Sequence, residues 1–122
     1  MPTLLIIDSN TIFRRTLKDI IQRRFSGLEI AEAEDSREGL EKGIHGRPQM
    51  VITDLSLKGG AGLSMIQSIA SQNTDARIVV LTDMDEEEYR MAAIERGADD
   101  FISKSKQASY KVLAIIEKQL FN

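Results

Sequence analysis

The sequence predicts an α/β fold in which helices cover both faces of a doubly wound parallel sheet of five strands. Short apolar runs alternate with longer amphipathic runs five times along the chain. Strict alternation of strand and helix is typical of a parallel sheet, because a crossover between parallel strands needs about the length of a helix. The chain has 122 residues, the length of one domain, and we expect residues 1–122 to form a single domain.

The first strand and helix set the pattern. Residues 3–7 consist of Thr3 and four apolar residues, a pattern that predicts a strand buried on both faces. Asp8 ends this run. We expect the helix that follows to begin after an N-cap at Asn10 and to end at Gly27. Its apolar stripe at helical spacing consists of Phe13, Leu17, Ile20 and Ile21.

The next two pairs differ in the expected burial of their strands. Residues 28–33 alternate between apolar and polar, which is typical of a half-exposed edge strand, and Ser36 is the expected N-cap of the helix after it. Residues 50–53 predict a central strand that stops at Asp54. The glycine-rich loop 58–62 leads to a third helix, whose expected core stripe is Leu63, Ile66, Ile69 and Ala70.

The fourth pair begins with a third uniformly apolar strand over residues 78–81, which ends at Thr82. We expect Asp85 to cap a helix over residues 86–96, and Gly97 stands where a glycine commonly ends a helix. The three uniformly apolar strands, which are the first, third and fourth in the chain, are expected at the centre of the sheet.

The fifth strand is short and consists mainly of Phe101 and Ile102, and it ends near Ser103 and Lys104. The last helix is expected to face the core with Val112, Ile115, Ile116 and Leu120.

Composition and charge argue against several classes of protein. The net charge of −3 argues against direct nucleic-acid binding by this chain, which usually needs a basic face. The chain has no cysteine, so disulfides and thiolate metal sites are excluded. No apolar run approaches the ~18 residues of a membrane helix, and no signal peptide opens the chain. We therefore expect a cytoplasmic protein without a membrane partner.

Four strands end on residues that carry chemistry: Asp8, Asp54, Thr82 and Lys104. In an open parallel sheet, ligands bind outside the carboxyl ends of the strands, so we expect these side chains to share one shallow pocket. Two neighbouring carboxylates repel each other and favour a divalent cation, and Mg2+ suits carboxylates together with phosphate oxygens. Thr82 and Lys104 offer a hydroxyl and an ammonium to a phosphoryl group, and Asp54 is a candidate nucleophile.

At these residues the chain resembles the receiver domain of bacterial response regulators, the chemotaxis-regulator-like domains of two-component signalling. The resemblance extends from Thr3 to about Leu120. The segments that carry it are LLIID, VITDLSLKGGAGLSMI, VVLTD and GADDFISKS. It implies a flavodoxin-like (βα)5 fold with the strand order 2-1-3-4-5.

The resemblance also implies roles for the residues at the strand ends. Asp54 matches the phosphoacceptor, which takes a phosphoryl group from a sensor histidine kinase with Mg2+ bound. Asp8 matches the first acid of the metal site, and Ser56 matches the position whose backbone carbonyl is a metal ligand. Thr82 and Lys104 match the switch hydroxyl and the phosphate-binding lysine. The implied protein is a phosphoacceptor signalling domain and not an enzyme with an external substrate.

A conformational switch is implied as well. Phe101 matches the aromatic residue that turns inward when the hydroxyl of Thr82 moves onto the phosphate. The face of the fourth helix, fifth strand and fifth helix is then the signalling surface, and in this chain it includes Tyr89, Arg96, Lys106 and Tyr110. The implied partner is a downstream output protein or a C-terminal output domain missing from this chain, and a homodimer through this face is a further possibility.

Ser9 is the main departure from the family pattern, because the second acid of the metal site is usually aspartate or glutamate. A neutral hydroxyl is a poorer ligand for Mg2+ than a carboxylate, so we expect Ser9 to be a weak ligand and phosphorylation to be slow. Alternatively, Ser9 only begins the helix cap beside Asn10.

Further departures surround the pocket. Asp83 follows the switch hydroxyl, where a small residue is usual in the family. Three interpretations of its carboxylate stay open: it repels an incoming phosphoryl group, it replaces the charge missing at Ser9, or it points to solvent. Ser105 replaces the family's proline, and without proline a cis peptide costs about 2.5–4 kcal/mol, so we expect a trans bond. We interpret Lys58, Arg14 and Arg15 as solvated.

Two functions from different classes fit these features. The first is a working receiver that is phosphorylated on Asp54, which the retention of Thr82 and Lys104 favours. The second is a pseudo-receiver that acts as a phosphorylation-independent docking module, which Ser9, Asp83 and Ser105 favour. A flavodoxin-like cofactor binder is disfavoured because residues 9–14 make a poor phosphate loop.

Overall fold

The computed structural model describes residues 3–121, in which five strands alternate with five helices. The strands are β1 (Thr3–Ile7), β2 (Glu29–Ala33), β3 (Met50–Thr53), β4 (Arg77–Thr82) and β5 (Asp100–Ser103). The helices are α1 (Thr11–Arg24), α2 (Ser36–His45), α3 (Gly62–Gln72), α4 (Glu87–Glu95) and α5 (Ala108–Leu120). Within these residues, no helix combines the length and the apolar character needed to cross a bilayer.

The strands form one sheet in the order β2-β1-β3-β4-β5, and every neighbouring pair is parallel. The predicted fold class and strand order are therefore confirmed, with the half-exposed β2 at an edge. The register pairs Ile7 with Thr53 and Thr82 with Ser103. The residues that follow these strands consequently lie at one end of the sheet.

Alternate residues of each central strand belong to two different cores, one on each face of the sheet. In β1, Leu4 and Ile6 pack with α1 and α5, whereas Leu5 and Ile7 pack with α2, α3 and α4. Each of these side chains is at most 1% exposed, and burying one stabilises the fold by about 1.5–3 kcal/mol. Helices therefore pack on both faces of the sheet, and they hold the carboxyl ends of its strands in place.

The buried stripe of α1 differs from the prediction. Leu17 and Ile21 are buried as expected, but Ile20 is 37% exposed. The stripe continues instead through Arg14, which is three residues before Leu17 and 5% exposed. The interpretation of Arg14 as a solvated residue was therefore wrong, while Arg15 is exposed as expected.

Three predicted helix boundaries also need correction. The last residue of α1 is Arg24 and not Gly27, because Phe25 turns into the core and stacks on Phe121 with 4.9 Å between ring centroids. The N-cap of α2 is Asp35 rather than Ser36, since the Asp35 carboxylate accepts a hydrogen bond from the Glu38 N–H.

At α4 the N-cap is Glu86, because the carboxylate of Asp85 accepts a hydrogen bond from the Ser103 hydroxyl instead of capping the helix. Two other predictions are confirmed. Asn10 caps α1 by accepting from the Phe13 N–H, and Gly97 follows α4 with φ of +118°, a conformation that glycine adopts readily.

Candidate functional site

The side chains of Asp8, Asp54, Thr82 and Lys104 meet in one cleft at the carboxyl end of the sheet, as their positions at strand ends predict. The cleft has a volume of about 520 Å³ and is also lined by Ser9, Asn10, Ser56, Asp83 and Met84. A larger cleft of about 740 Å³ lies beside α2. We place the candidate site in the smaller cleft because only there do buried charged groups converge.

The carboxylate of Asp54 is the centre of the cleft. Its Oδ1 accepts hydrogen bonds from the Thr82 hydroxyl at 2.5 Å, the Leu55 N–H at 2.7 Å and the Ser56 N–H at 3.3 Å. Its Oδ2 lies 2.9 Å from Nζ of Lys104. Because β3 is buried along its whole length, these contacts hold the carboxylate in one orientation at the mouth of the cleft.

Asp8 is held equally firmly and is only 3% exposed. Its Oδ1 accepts from the Asn10 N–H at 2.8 Å, and its Oδ2 lies 2.9 Å from Nζ of Lys104. Its backbone N–H donates to the Ala33 carbonyl of β2. Its backbone carbonyl accepts from Arg14 at 2.6 Å, so the buried guanidinium supports Asp8 from inside the fold.

Arg14 is also joined to the edge strand through an ion pair of 2.9 Å with Glu32, which pairs with Lys18 at 3.2 Å as well. Burial alone raises the pKa of Glu32, but the hydrogen bonds and charges of the two basic residues outweigh burial, and the pKa is lowered. Sequence analysis missed this network. The sequence did indicate that Arg14 is buried. Arg14 lies three residues before Leu17 and seven before Ile21, so it shares their face of α1.

The ammonium of Lys104 lies between the two carboxylates and 4.2 Å from the centroid of the Phe13 ring. Its side chain is only 10% exposed. Burial alone lowers the pKa of Lys104, but hydrogen bonds and charge interactions with Asp8 and Asp54 outweigh it and raise the pKa. Lys104 is therefore a fixed positive charge, and the contact with Phe13 is one that sequence analysis did not foresee.

The metal expected from the sequence has two carboxylates available to it. Within residues 3–121, no group of three or more His, Cys, Asp and Glu side chains is arranged to hold an ion. Mg2+ does not need such a cage, since one or two carboxylates with waters and phosphate oxygens suffice. Asp8 and Asp54 therefore fit this ion, although Lys104 Nζ contacts the Oδ2 atoms of both.

The hydroxyl of Ser9 lines the same cleft but bonds to the backbone of two loops. It donates to the Glu34 carbonyl at 2.7 Å and accepts from the Lys58 N–H at 2.9 Å. Ser56 is exposed at the cleft and its N–H points to Asp54. The sequence offered no sign of the Ser9 contacts, because their partners are a backbone carbonyl and a backbone N–H, groups that do not identify a residue type.

The remaining predicted residues lie around the cleft. Asp83 is exposed, in line with the interpretation that it points to solvent, and the side chain of Lys58 is exposed too. The bond between Lys104 and Ser105 is trans, as expected without proline. Phe101 is half-buried and packs against the core shared by α3 and α4. Thr82 is fully buried, with its hydroxyl already on Asp54.

The chain is similar to known proteins over nearly all of its length. The family model described as "Response regulator receiver domain" matches residues 4–116. The chemotaxis protein CheY of Thermotoga maritima is 35% identical over 92% of this chain and 92% of its own length. The acid tolerance regulatory protein ActR of Rhizobium meliloti is 33% identical over 95% of this chain and 59% of its own length.

Solved structures of response regulators also match the chain. A response regulator of Burkholderia pseudomallei, crystallised with a phosphorylated aspartic acid, a calcium ion and citrate, matches with a TM-score of 0.83. Its identity to this chain is 28%, over 100% of this chain and 68% of that one. A LuxR-family regulator of Aurantimonas matches with a TM-score of 0.84 at 28% identity, over 96% of this chain and 84% of that one. The chain spans 50–59% of the length of the first curated relatives it matches.

Proposed function

The chain belongs to the response regulator receiver domain family of two-component systems, and from this premise we propose that Asp54 accepts a phosphoryl group from a sensor histidine kinase. The observation that carries the proposal is the set of donors on one carboxylate. Thr82 and Lys104 both contact Asp54, from two different strand ends. A phosphoryl group on Asp54 would meet a hydroxyl and an ammonium without a large movement of either element.

In the proposed reaction, a carboxylate oxygen of Asp54 attacks the phosphorus of a phosphohistidine. The new O–P bond forms as the N–P bond breaks, and the electron pair of that bond leaves with the imidazole nitrogen, which is protonated from solvent. Thr82 and Lys104 then stabilise charge on the phosphoryl oxygens, since preorganised donors lower a barrier more than mobile ones do. The raised pKa of Lys104 favours its charged form before the phosphoryl group arrives.

Mg2+ is the proposed cofactor, and it would neutralise negative charge on the phosphoryl oxygens when bound. Asp8 and Asp54 would hold it together with the backbone carbonyl of Ser56, and Ser9, which lines the same cleft, would be a weak ligand at most. The phosphorylated aspartic acid and the calcium ion in the Burkholderia pseudomallei regulator support this assignment.

We extend the proposal to signalling beyond the cleft. Thr82 and Phe101 would act as the switch that changes the face formed by α4, β5 and α5. That face exposes Met91 and Tyr110, two large side chains that a downstream output protein, an output domain or a second copy would cover. The proposal treats residues 1–122 as one receiver domain in the cytoplasm. It includes no direct binding to nucleic acid or membrane, and no catalysis beyond phosphorylation and dephosphorylation of the chain itself.

The test is the intact mass of the protein after incubation with a small phosphodonor, with and without Mg2+. A gain of one phosphoryl group that requires Mg2+ is expected in the wild type and in Asp75→Asn, a control at an exposed carboxylate outside the cleft. Asp54→Ala should gain none. The same series is then repeated with a phosphorylated histidine kinase. If neither donor modifies the wild type, the phosphoacceptor role is wrong, and the docking module becomes the remaining interpretation.

A further inference from the structure

The hydroxyl of Ser9 joins three loops at the rim of the cleft. Ser9 itself follows β1, the Glu34 carbonyl to which it donates follows β2, and the Lys58 N–H from which it accepts follows β3. The two distances, 2.7 Å and 2.9 Å, are those of well-formed hydrogen bonds. One side chain therefore connects the loop that carries the phosphoacceptor to its two neighbours.

The loop of Glu34 is a rigid support for this connection. The Glu34 N–H donates to the carboxylate of Glu38 at 2.9 Å, and the Glu38 N–H donates to the N-cap Asp35 at 2.7 Å. The Asp35 carboxylate thus caps α2, and the Glu38 carboxylate binds the backbone N–H one residue before the cap, so both groups hold the turn that leads into the helix. The hydrogen bond from the Glu34 N–H is the largest cause of the lowered pKa of Glu38, which favours the charged form of this carboxylate.

The loop after Asp54 needs such a support, because its own backbone is irregular. Gly59, Gly60 and Ala61 have φ values of +88°, +70° and +56° in succession, so three neighbouring residues depart from the backbone angles of helix and strand. Lys58 immediately precedes this run. Its carbonyl accepts from both the N–H and the hydroxyl of Ser36 at 3.3 Å, so the bond from its N–H to Ser9 is the shortest of these three hydrogen bonds.

The chemistry of a hydroxyl explains why serine suits this place. A hydroxyl has one hydrogen and two lone pairs, so it can donate to Glu34 and accept from Lys58 together. A carboxylate cannot donate, and at this position it would face the Glu34 carbonyl with a second acceptor. A cation at Ser9 would also have to compete for the oxygen that already holds the Lys58 N–H.

We propose that Ser9 is a positioning residue, which fixes the loop after Asp54 through the Glu34 carbonyl and the Lys58 N–H, and that it does not bind the cation. This inference rests on the proposed function for its effect on phosphorylation. The structural part, which concerns the two hydrogen bonds, does not depend on it.

The experiment compares the wild type with Ser9→Ala, Ser9→Thr and the control Ser71→Ala, whose hydroxyl bonds only within its own helix. Amide hydrogen exchange at Lys58 is measured by NMR without phosphodonor, and Mg2+ is titrated in the same samples. We expect Ser9→Ala to exchange about 3- to 10-fold faster at Lys58, the range that one hydrogen bond supplies. Ser9→Thr, which keeps the hydroxyl, and Ser71→Ala should exchange like the wild type.

The Mg2+ titration and the reaction rate separate positioning from ligation. The dissociation constant for Mg2+ should stay within about twofold in Ser9→Ala, because no charged ligand is lost. At saturating Mg2+, phosphorylation of Ser9→Ala should be several-fold slower, and Ser9→Thr should restore it.

Unchanged exchange at Lys58 in Ser9→Ala would overturn the proposal. So would a large weakening of Mg2+ binding that threonine restores, since this would make Ser9 a ligand, and so would an unchanged rate at saturating Mg2+. Failure of the proposed function has a different signature: the wild type itself would not be phosphorylated, while the exchange at Lys58 would still report whether the two hydrogen bonds exist.

Discussion

The two halves of the cleft are built in different ways. In one half, which we call the strand-end half, Asp8, Asp54, Thr82 and Lys104 contact one another through side chains. In the other, the loop half, Ser9 contacts only backbone groups of Glu34 and Lys58. The strand-end half needs specific side chains at four positions, so it tolerates few substitutions. The loop half needs only one specific side chain, the hydroxyl of Ser9, because its other partners are backbone groups.

The largest effect should follow from removing the charge at the strand-end half. We expect Lys104→Met to slow phosphorylation by about 100-fold or more, the usual loss when a preorganised donor to a developing charge is removed. The measurement is the rate of mass gain with a small phosphodonor at saturating Mg2+. Lys106→Met, an exposed lysine two residues away, is the control and should react like the wild type. Equal rates in the two variants would mean that Lys104 does not contact the phosphoryl group.

The support beneath Asp8 should have the next largest effect, this time on stability. Arg14→Met removes the bonds to the Asp8 carbonyl and to Glu32 and should lower the free energy of unfolding by about 2–4 kcal/mol. Urea unfolding of Arg14→Met and of the exposed neighbour Arg15→Met gives the comparison. A surface change such as Arg15→Met should stay within about 0.5 kcal/mol of the wild type. Similar losses in both would contradict the buried role of Arg14.

Glu32 allows a test of the same support by pH. A carboxyl whose pKa is lower in the folded than in the unfolded chain stabilises the fold at pH values above its unfolded pKa. This stabilisation is lost as the pH falls through its folded pKa. At pH 7 we expect Glu32→Gln to unfold more easily by about 1–2 kcal/mol. The difference from the wild type should shrink as pH falls below 4.5, the ordinary pKa of the group. Unfolding curves between pH 7 and pH 3, about the range over which carboxyls titrate, provide the measurement. A difference that does not change with pH would contradict the ion pairs.

The smallest effect concerns the loop half. Ala61 has φ of +56°, which costs a residue with Cβ about 1 kcal/mol or more, so Ala61→Gly should relieve strain. Because glycine also gains freedom in the unfolded chain, the net stabilisation should be only about 0.5 kcal/mol. Thermal unfolding is the measurement. The matched control is Ala70→Gly inside α3, which should destabilise by about 1 kcal/mol. Destabilisation by both changes would show that Ala61 is not strained.

The same contrast explains what the sequence could predict. The fold class and the positions of Asp8, Asp54, Thr82 and Lys104 follow from apolar runs that end in polar residues, and such patterns depend on residue type. The strand order 2-1-3-4-5 came from the family resemblance, because the pattern alone indicated only which strands are central and that the second lies at an edge. Arg14 was misjudged because a charged residue was assigned to solvent although it continues the stripe of Leu17 and Ile21.

Other features had no signal in the sequence. The contacts of Ser9 depend on how close two loops approach, and the caps at Asp35 and Glu86 depend on which of several adjacent polar residues reaches the helix end. Tertiary packing decides which of these adjacent residues caps the helix, and the capping preference of a single residue type does not.

The edge strand β2 has a consequence for how the protein behaves in concentrated solution. Within residues 3–121, its outer backbone groups pair with no further strand, which makes such an edge a template for association with a second chain. Glu29 is exposed on this strand, whereas Glu32 is paired with Arg14 and Lys18, so the like charges that meet when two copies approach edge to edge are mainly those of Glu29. The repulsion weakens as salt is added, because mobile ions screen exposed charges. Resistance to aggregation at this edge should therefore be greatest in dilute buffer and should decline with ionic strength.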